Sequence, residues 1–501
     1  MRKILIFSSV FRLRKLAMPA PAGRFLTLIL CLGSLFLQAQ SVSLFDAIQM
    51  AQRESYLGHV ILNNYRSAQW AHTAVRASLY PQLSFTADVP GYNSSIKPIV
   101  QPSGNILYQP VNQGYSNANI SLQQVIPLTG GTMFMQSALS RFDVFGSNPR
   151  TTWQSSPYII GFRQPVFRAN ALKFYYRQEA LQNTINQKKF VEDMEDLALT
   201  ITQKYFECYL AKLQLKNAQY DVQINDSLFV ISKGRFEVGK IAENDVLQSE
   251  LNLLNARNSA EQSRLQLQNA EKELHLLLGI SESMPLTLQP PLAAPVFLVD
   301  VATAIREAIN NRSEITALYI NELSTQRNLK LAAEKRRPTI DFNFTYGNTN
   351  TAPELNGVYK NLLSQNSVSF GISSPLFGFG KSHAEYRSAR YAYDAQQERI
   401  EYERKKFEID ISNKVQQFLQ LRTSLLISAK ADTIAQKRYE VAKDRYMVGK
   451  IDITNFSLAQ KEKNESLISY IRTLENFWTS YYQLRRYTLY DFEKGARIVY
   501  P

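Results

Sequence analysis

Cysteine and histidine are almost absent. Only Cys31 and Cys208 occur in 501 residues, and Cys31 lies in a leader-like N-terminal stretch, so no intrachain disulfide is expected once that stretch is removed. The four histidines, His59, His72, His275 and His383, stand far apart without ligand spacing, which excludes a histidine metal site. No serine–histidine arrangement and no phosphate-cradling glycine loop is present. The chain is therefore read as a non-enzyme without cofactor or metal. Beyond the first forty residues no apolar run reaches the roughly 18 residues of a membrane-spanning helix. From 168 to 236 proline is missing and Gly234 is the single glycine, so little interrupts a helix there.

Acids are missing from the first forty residues, which carry Arg2, Lys3, Arg12, Arg14, Lys15 and Arg24. These basic residues, the apolar run from Phe25 to Leu37 and the following Gln38-Ala39-Gln40 resemble a secretory signal over 1–40. Met18 is a second candidate start. Ile29 and Leu30 are bulky for a lipidation site at Cys31. The total charge is +14, from 57 Lys+Arg against 43 Asp+Glu. Outside the leader the excess is spread along charged, helix-period sequence. It is read as solvated helix faces, not as a nucleic-acid footprint.

What is present is a repeated tip. Arg235-Phe236-Glu237-Val238-Gly239-Lys240-Ile241 recurs as Arg445-Tyr446-Met447-Val448-Gly449-Lys450-Ile451. A lone glycine between two long helical patterns predicts a sharp helix-to-helix reversal, because glycine alone takes a left-handed backbone cheaply. The helix before the first tip is expected over about 168–236, roughly 100 Å at 1.5 Å per residue. Asn244 or Asp245 is placed to cap the return helix, which runs to Leu278 and stops at Gly279. Val246, Leu253, Ala260, Leu267 and Leu274 form a strict heptad on it, implying an antiparallel coiled coil. Beside them run the small residues Ser249, Ala256, Ser263 and Ala270, which permit close helix approach and read either as tight coiled-coil packing alone or as a stripe that helps curve the helices into a ring.

Upstream, one helix is expected from Ser43 to about Leu79. A strand follows, with Leu83, Phe85, Ala87 and Val89 on one face and Gln82, Ser84, Thr86 and Asp88 on the other. A Gly/Pro/Asn-rich loop is expected to about Gly114, then strands near 117–126, 132–143 and 157–164. The second half repeats the plan. Ala304, Ile305, Ala308 and Pro338 match Ala47, Ile48, Ala51 and Pro81 at an offset of 257, whereas Ser374-Pro375-Leu376-Phe377 matches Gln164-Pro165-Val166-Phe167 at 210. The chain thus divides into a first repeat over 41–296, with its tip at 238–241, and a second over 297–501, with its tip at 448–451. The first repeat carries an insertion of about 47 residues between about 82 and 164, judged by the change of repeat offset. This would lengthen the extracellular loops, cover a barrel or add two strands. The expected fold is mainly α with a membrane β-barrel portion. Because few strands cannot close alone and open edges are not tolerated in lipid, several chains must share one barrel.

The leader, the duplication, the Gln-Pro-Val-Phe and Ser-Pro-Leu-Phe strand ends and the two tips together resemble the TolC family of outer-membrane efflux proteins. The resemblance implies a homotrimer in the outer membrane of a Gram-negative bacterium. Each chain would give four strands to a twelve-stranded barrel, and the helices would form a periplasmic tunnel. It implies a passive exit duct for an efflux or type I secretion system, with no chemistry on the solute. Val238, Gly239, Lys240, Ile241, Val448, Gly449, Lys450 and Ile451 would dock on a periplasmic adaptor (membrane fusion protein) that serves an inner-membrane transporter. Asp245 and Tyr446 match family residues that hold the entrance shut, but Ile451 stands where the family's arginine would be. Asn455 and Leu458 occupy the positions of the family's aspartate rings, with Asp452 nearby as a possible replacement. The competing expectation is a periplasmic coiled-coil adaptor or scaffold, which leaves the two-faced strands without a use.

Overall fold

The computed structural model describes residues 40–146, 149–289, 294–295, 297–448 and 450–500. Residues 1–39 of the leader, with Cys31, and Gly449 of the second tip lie outside these residues. The first half begins with strand β1 (Gln40–Val42) and helices α1 (Leu44–Glu54) and α2 (Tyr56–Ala77). Four strands follow: β2 (Gln82–Val100), β3 (Ile106–Ile126), β4 (Gly131–Phe145) and β5 (Arg150–Val166). Helix α3 (Ala171–Glu237) runs to the first tip, α4 (Glu243–Leu278) returns, and β6 (Leu286–Leu288) pairs in parallel with β1. The second half holds α5 (Val301–Asn311), α6 (Ser313–Glu334), β7 (Thr339–Ala352), β8 (Leu363–Ser373), α7 (Lys381–Met447) and α8 (Ile453–Thr488), then the small ribbon β9 (Tyr490–Asp491) and β10 (Ala496–Arg497). Corresponding helices have equal lengths of 11, 22, 67 and 36 residues.

The helix expected over Ser43–Leu79 is two helices. Ser43 caps α1 in a reciprocal box with Asp46. At Ser55 the backbone turns extended, and its hydroxyl accepts the Gly58 N–H at 2.9 Å, capping α2. Gly58 lies so close to the carbonyls of Ala51 and Gln52 that a Cβ would stand 2.6 Å from oxygen. Arg312 makes the same break between α5 and α6. Helix α4 ends against the first break: Gly279 takes φ +74, and a Cβ there would lie 2.7 Å from Glu54 O. Thus α2 and α4 lie nearly end to end beside α3, and α6 and α8 beside α7.

On the sheet side the helices stand in the row α2-α3-α6-α7, and on the tip side in the row α4-α3-α8-α7. The main core lies at mid-length, where both halves meet. Ile201, Tyr205 and Phe206 of α3 pack with Ile411, Val415 and Phe418 of α7 and with Leu474 and Phe477 of α8, all essentially sealed from solvent.

The sheet is one antiparallel array in the order β2-β3-β4-β5-β7-β8. This corrects two expectations. The loop expected between 90 and 114 is instead the upper part of β2 and β3, and the sheet holds six strands where the resemblance implied four. The physical reason for the first is a bulge. Asp88 pairs with Asn117 and Gly91 with Tyr115, so β2 carries one extra residue there. Pro90, which has no N–H to give, sits in this bulge. The slip moves apolar residues from odd positions (Leu83, Phe85) to even ones (Tyr92, Ile96) without changing their face. A simple alternation count stops at that point.

Candidate functional site

At the first tip, α3 ends in a left-handed turn. Gly239 takes φ +72, and Lys240 N–H returns to Arg235 O at 2.9 Å, the two bonds of a Schellman-type stop being completed by Gly239 N–H to Phe236 O. At the second tip Lys450 N–H likewise returns to Arg445 O at 2.8 Å. Val238, Lys240, Val448 and Lys450 stand exposed, and Ile241 and Ile451 are half-buried. Each tip therefore offers an apolar knob flanked by an ammonium.

The expected gate residues are not brought together within one chain. Asp245 is not the helix cap: Ala242 holds that place, and the Asp245 carboxylate accepts the Ala242 N–H at 3.3 Å. Tyr446 is buried, and its ring stacks on Phe456 with centroids 5.2 Å apart. Tyr439, Leu228 and partly Ile224 and Ile451 complete this small core. Asp452 caps α8 through Asn455 N–H at 2.7 Å, and the Asn455 amide returns to the same carboxylate at 3.1 Å. Asp452 and Asn455 thus satisfy each other.

Above this core the structure adds a polar cluster that sequence reasoning missed. Asp221 of α3 accepts hydrogen bonds from Gln460 and Asn464 of α8. Lys463 lies over the rings of Tyr439 (4.3 Å) and Tyr220 (5.6 Å). Burial pushes the Asp221 carboxyl above its ordinary value, against the pull of those hydrogen bonds and of Lys463. Burial likewise pushes the Tyr439 hydroxyl up. The available signal was the lysine at 463 in a heptad place that holds leucine at 253.

At mid-length, Glu195 is completely buried and takes the Arg485 guanidinium with both oxygens, at 2.9 and 2.8 Å. Tyr500 donates to the same carboxylate at 2.6 Å, and Arg485 also reaches Asp491 at 2.8 Å. This network ties the C-terminal segment to α3 and α8.

At the far end the sheet has two chemically different faces. Cross-strand pairing aligns Leu83 and Phe85 with Leu122 and Ile120, then Met135 with Ile160 and Met133 with Phe162, and on to Phe344, Tyr346, Val368 and Phe370. Many of these are widely exposed, Phe370 by 69%. The other face carries Ser84, Thr86, Ser121, Asn119, Thr132, Gln136, Asn343 and Ser369. Below the strands Phe167, Phe377 and Phe379 stand 75%, 79% and 91% exposed. Such rings suit the headgroup level of a membrane. Among the described residues no helix is long and apolar enough to cross a membrane, and no group of three or more His, Cys, Asp or Glu could hold a metal.

A family model described as outer membrane efflux protein matches residues 145–280 and 304–488. The chain belongs to the outer membrane efflux protein family. Its matched segments take in both long hairpins of this efflux protein, whereas β2, β3 and nearly all of β4 lie before them. Protein CyaE of Bordetella pertussis is 25% identical over 193 residues, which are 38% of this chain and 40% of that protein. A membrane protein of Pseudomonas aeruginosa superposes with a TM-score of 0.63 at 16% identity, over 90% of this chain and 91% of that one. The CmeC outer membrane channel of Campylobacter jejuni gives 0.63 at 13% identity, over 89% and 85%. The open state of the Neisseria gonorrhoeae MtrE outer membrane channel gives 0.59 at 14% identity, over 89% and 88%. These likenesses show the fold. The efflux protein is an outer-membrane protein and not an enzyme.

Proposed function

We propose that three copies of this chain form a passive duct from the periplasm to the cell exterior. The apolar sheet face would lie in outer-membrane lipid, and the helices would extend into the periplasm. The observation that carries this reading is the continuous apolar face across six strands, set at the opposite end of a helical rod from two matched tips. Helix α3 alone spans about 100 Å at 1.5 Å per residue. A periplasmic adaptor or scaffold has no use for such a face, whose burial in water-free surroundings requires lipid.

Val238, Gly239, Lys240, Ile241, Val448, Gly449, Lys450 and Ile451 would meet a periplasmic adaptor that links the duct to an inner-membrane transporter. Asp245, Tyr446, Asp452 and Asn455 would set how tightly the tips close. The duct itself performs no reaction on the solute, and its solute is that of an efflux or type I secretion partner. The test is extraction from outer membranes followed by electron microscopy. A hollow, threefold particle that needs detergent for release is the expected result. A soluble rod released by salt would sink the reading.

A further inference from the structure

We infer that the membrane barrel takes six strands from every copy, the free edge of β2 pairing antiparallel with the free edge of β8 on the next copy, so that three copies enclose eighteen strands. The number of copies rests on the duct reading; the seam and the six-strand share come from the single chain.

The additional strands are built into the sheet and do not hang from it as a loop. Pairing between β3 and β4 runs unbroken from Asn112–Phe145 to Ile126–Gly131. The β3–β4 turn is seated on the helix junction. Asn170, the cap of α3, donates to Pro127 O at 2.7 Å, Gln164 donates to Thr129 O at 3.1 Å, and Gln124 reaches Leu79 O at 2.6 Å. The apolar band crosses these strands through Leu122, Ile120, Met133 and Met135, with Ser137 opposite Ile120, and above the band the same face carries Ser116 and the ion pair Arg141–Asp143.

The widths agree as well. Six strands at about 4.8 Å spacing and ~40° tilt occupy ~38 Å of circumference, whereas four occupy ~25 Å. The four helices in the row beneath occupy about 32–40 Å at 8–10 Å between axes. The row and the sheet also end together: α2 leads into β2 at one edge, and β8 leads into α7 at the other. Six strands therefore continue the tunnel at nearly constant girth, and three copies give a barrel of ~36 Å backbone diameter.

The edges must be covered, because unpaired N–H and C=O groups are not tolerated in lipid. Strand β2 runs away from the helices and β8 toward them, so the two edges of neighbouring copies meet antiparallel. Within the chain, the last strand that the first half gives to this sheet (β5) already pairs with the first strand from the second half (β7). A seam from β8 to the next β2 repeats that junction.

Disulfide scanning in the full chain tests this. Cysteine replaces Ser84 or Thr86 on β2, combined with cysteine at Ser367, Ser369 or Ser373 on β8, all on the polar face. Cys208 is buried and its thiol is pushed up to about 12, so it stays out of the reaction. The expected result in outer membranes is a covalent ladder that reaches trimer and stops there. A ladder that stops at dimer overturns eighteen strands. Cross-linking of β8 instead to Gln136→Cys or Ser140→Cys on β4 overturns the seam, because the β2–β3 hairpin then lies outside the barrel. No cross-link at any β2 position also overturns the seam. If the protein then still needs detergent for release, the duct reading survives; if salt releases it, both fail.

Discussion

Tyr446 occupies a place with two consequences. Its ring fills the tip core against Phe456 and Tyr439, so removing it both loosens the tip and takes away a candidate closing contact. Tyr446→Ala should raise single-channel conductance, and Asp245→Ala should do so by freeing the Ala242 N–H that starts α4. Unchanged conductance in both variants removes them as gate residues. Asp221 answers to pH. Its carboxyl is raised in the fold, so the stability it contributes is full below the unfolded value near 3.9 and is lost as pH rises through the higher folded value. Relative to wild type, Asp221→Asn should therefore gain melting temperature between pH 4 and pH 8, because its amide keeps an acceptor for Gln460 without the buried charge. A melting difference that is flat with pH would remove desolvation as the governing cause.

Among the elements, the strands carry the membrane reading. Phe342 pairs with Phe370 across β7 and β8, ring centroids 4.9 Å apart, near the middle of the apolar face. A charge on a lipid-facing barrel position costs about 2–4 kcal/mol at the bilayer midplane for Arg or Lys. Phe370→Arg should therefore reduce the amount of protein recovered in outer membranes, whereas Ser369→Arg, one residue away on the polar face, should not. Equal loss in both variants would mean that the two faces do not see different solvents. The helices carry a different load. The small residues Ser249, Ser263 and Ala270 on α4 are buried, which lets α4 lie close along α3, whereas of the matched positions on α8 only Ala459 is. The two hairpins therefore pack unequally despite equal lengths.

For the whole molecule, the mid-length network decides whether the rod holds as one body. Arg485 joins Glu195, Asp491 and, through the shared carboxylate, Tyr500. Removing one partner of a buried ion pair leaves an uncompensated charge and typically costs about 3–5 kcal/mol. Glu195→Ala should accordingly bring forward the loss of helical circular dichroism on heating. Unchanged melting would show that Asp491 alone satisfies Arg485. At this scale the six-strand sheet and the four-helix row have similar widths, so that in the proposed assembly barrel and tunnel would form one continuous wall.

The sequence by itself determined the two tips, the long unbroken helices and the existence of two-faced strands. These depend on local rules: Gly239 for the left-handed stop, the lack of proline from 168 to 236, and period-2 alternation. The break at Ser55 was less legible, because its cause is the close packing of Gly58 on Ala51 and Gln52. The strand count was lost at Val89-Pro90, since a bulge shifts the alternation by one residue and reads as a loop. The local hydrogen bonds of Asp245, Asp452 and Asn455 also became visible only in the structure: Asp245 accepts the Ala242 N–H, and Asp452 caps α8 while holding the Asn455 amide. The Asp221 cluster and the Glu195–Arg485 pair were decided by tertiary structure alone, because each joins α3 to a helix more than two hundred residues away. Buried charges declare themselves only when the elements that exclude water from them are in place.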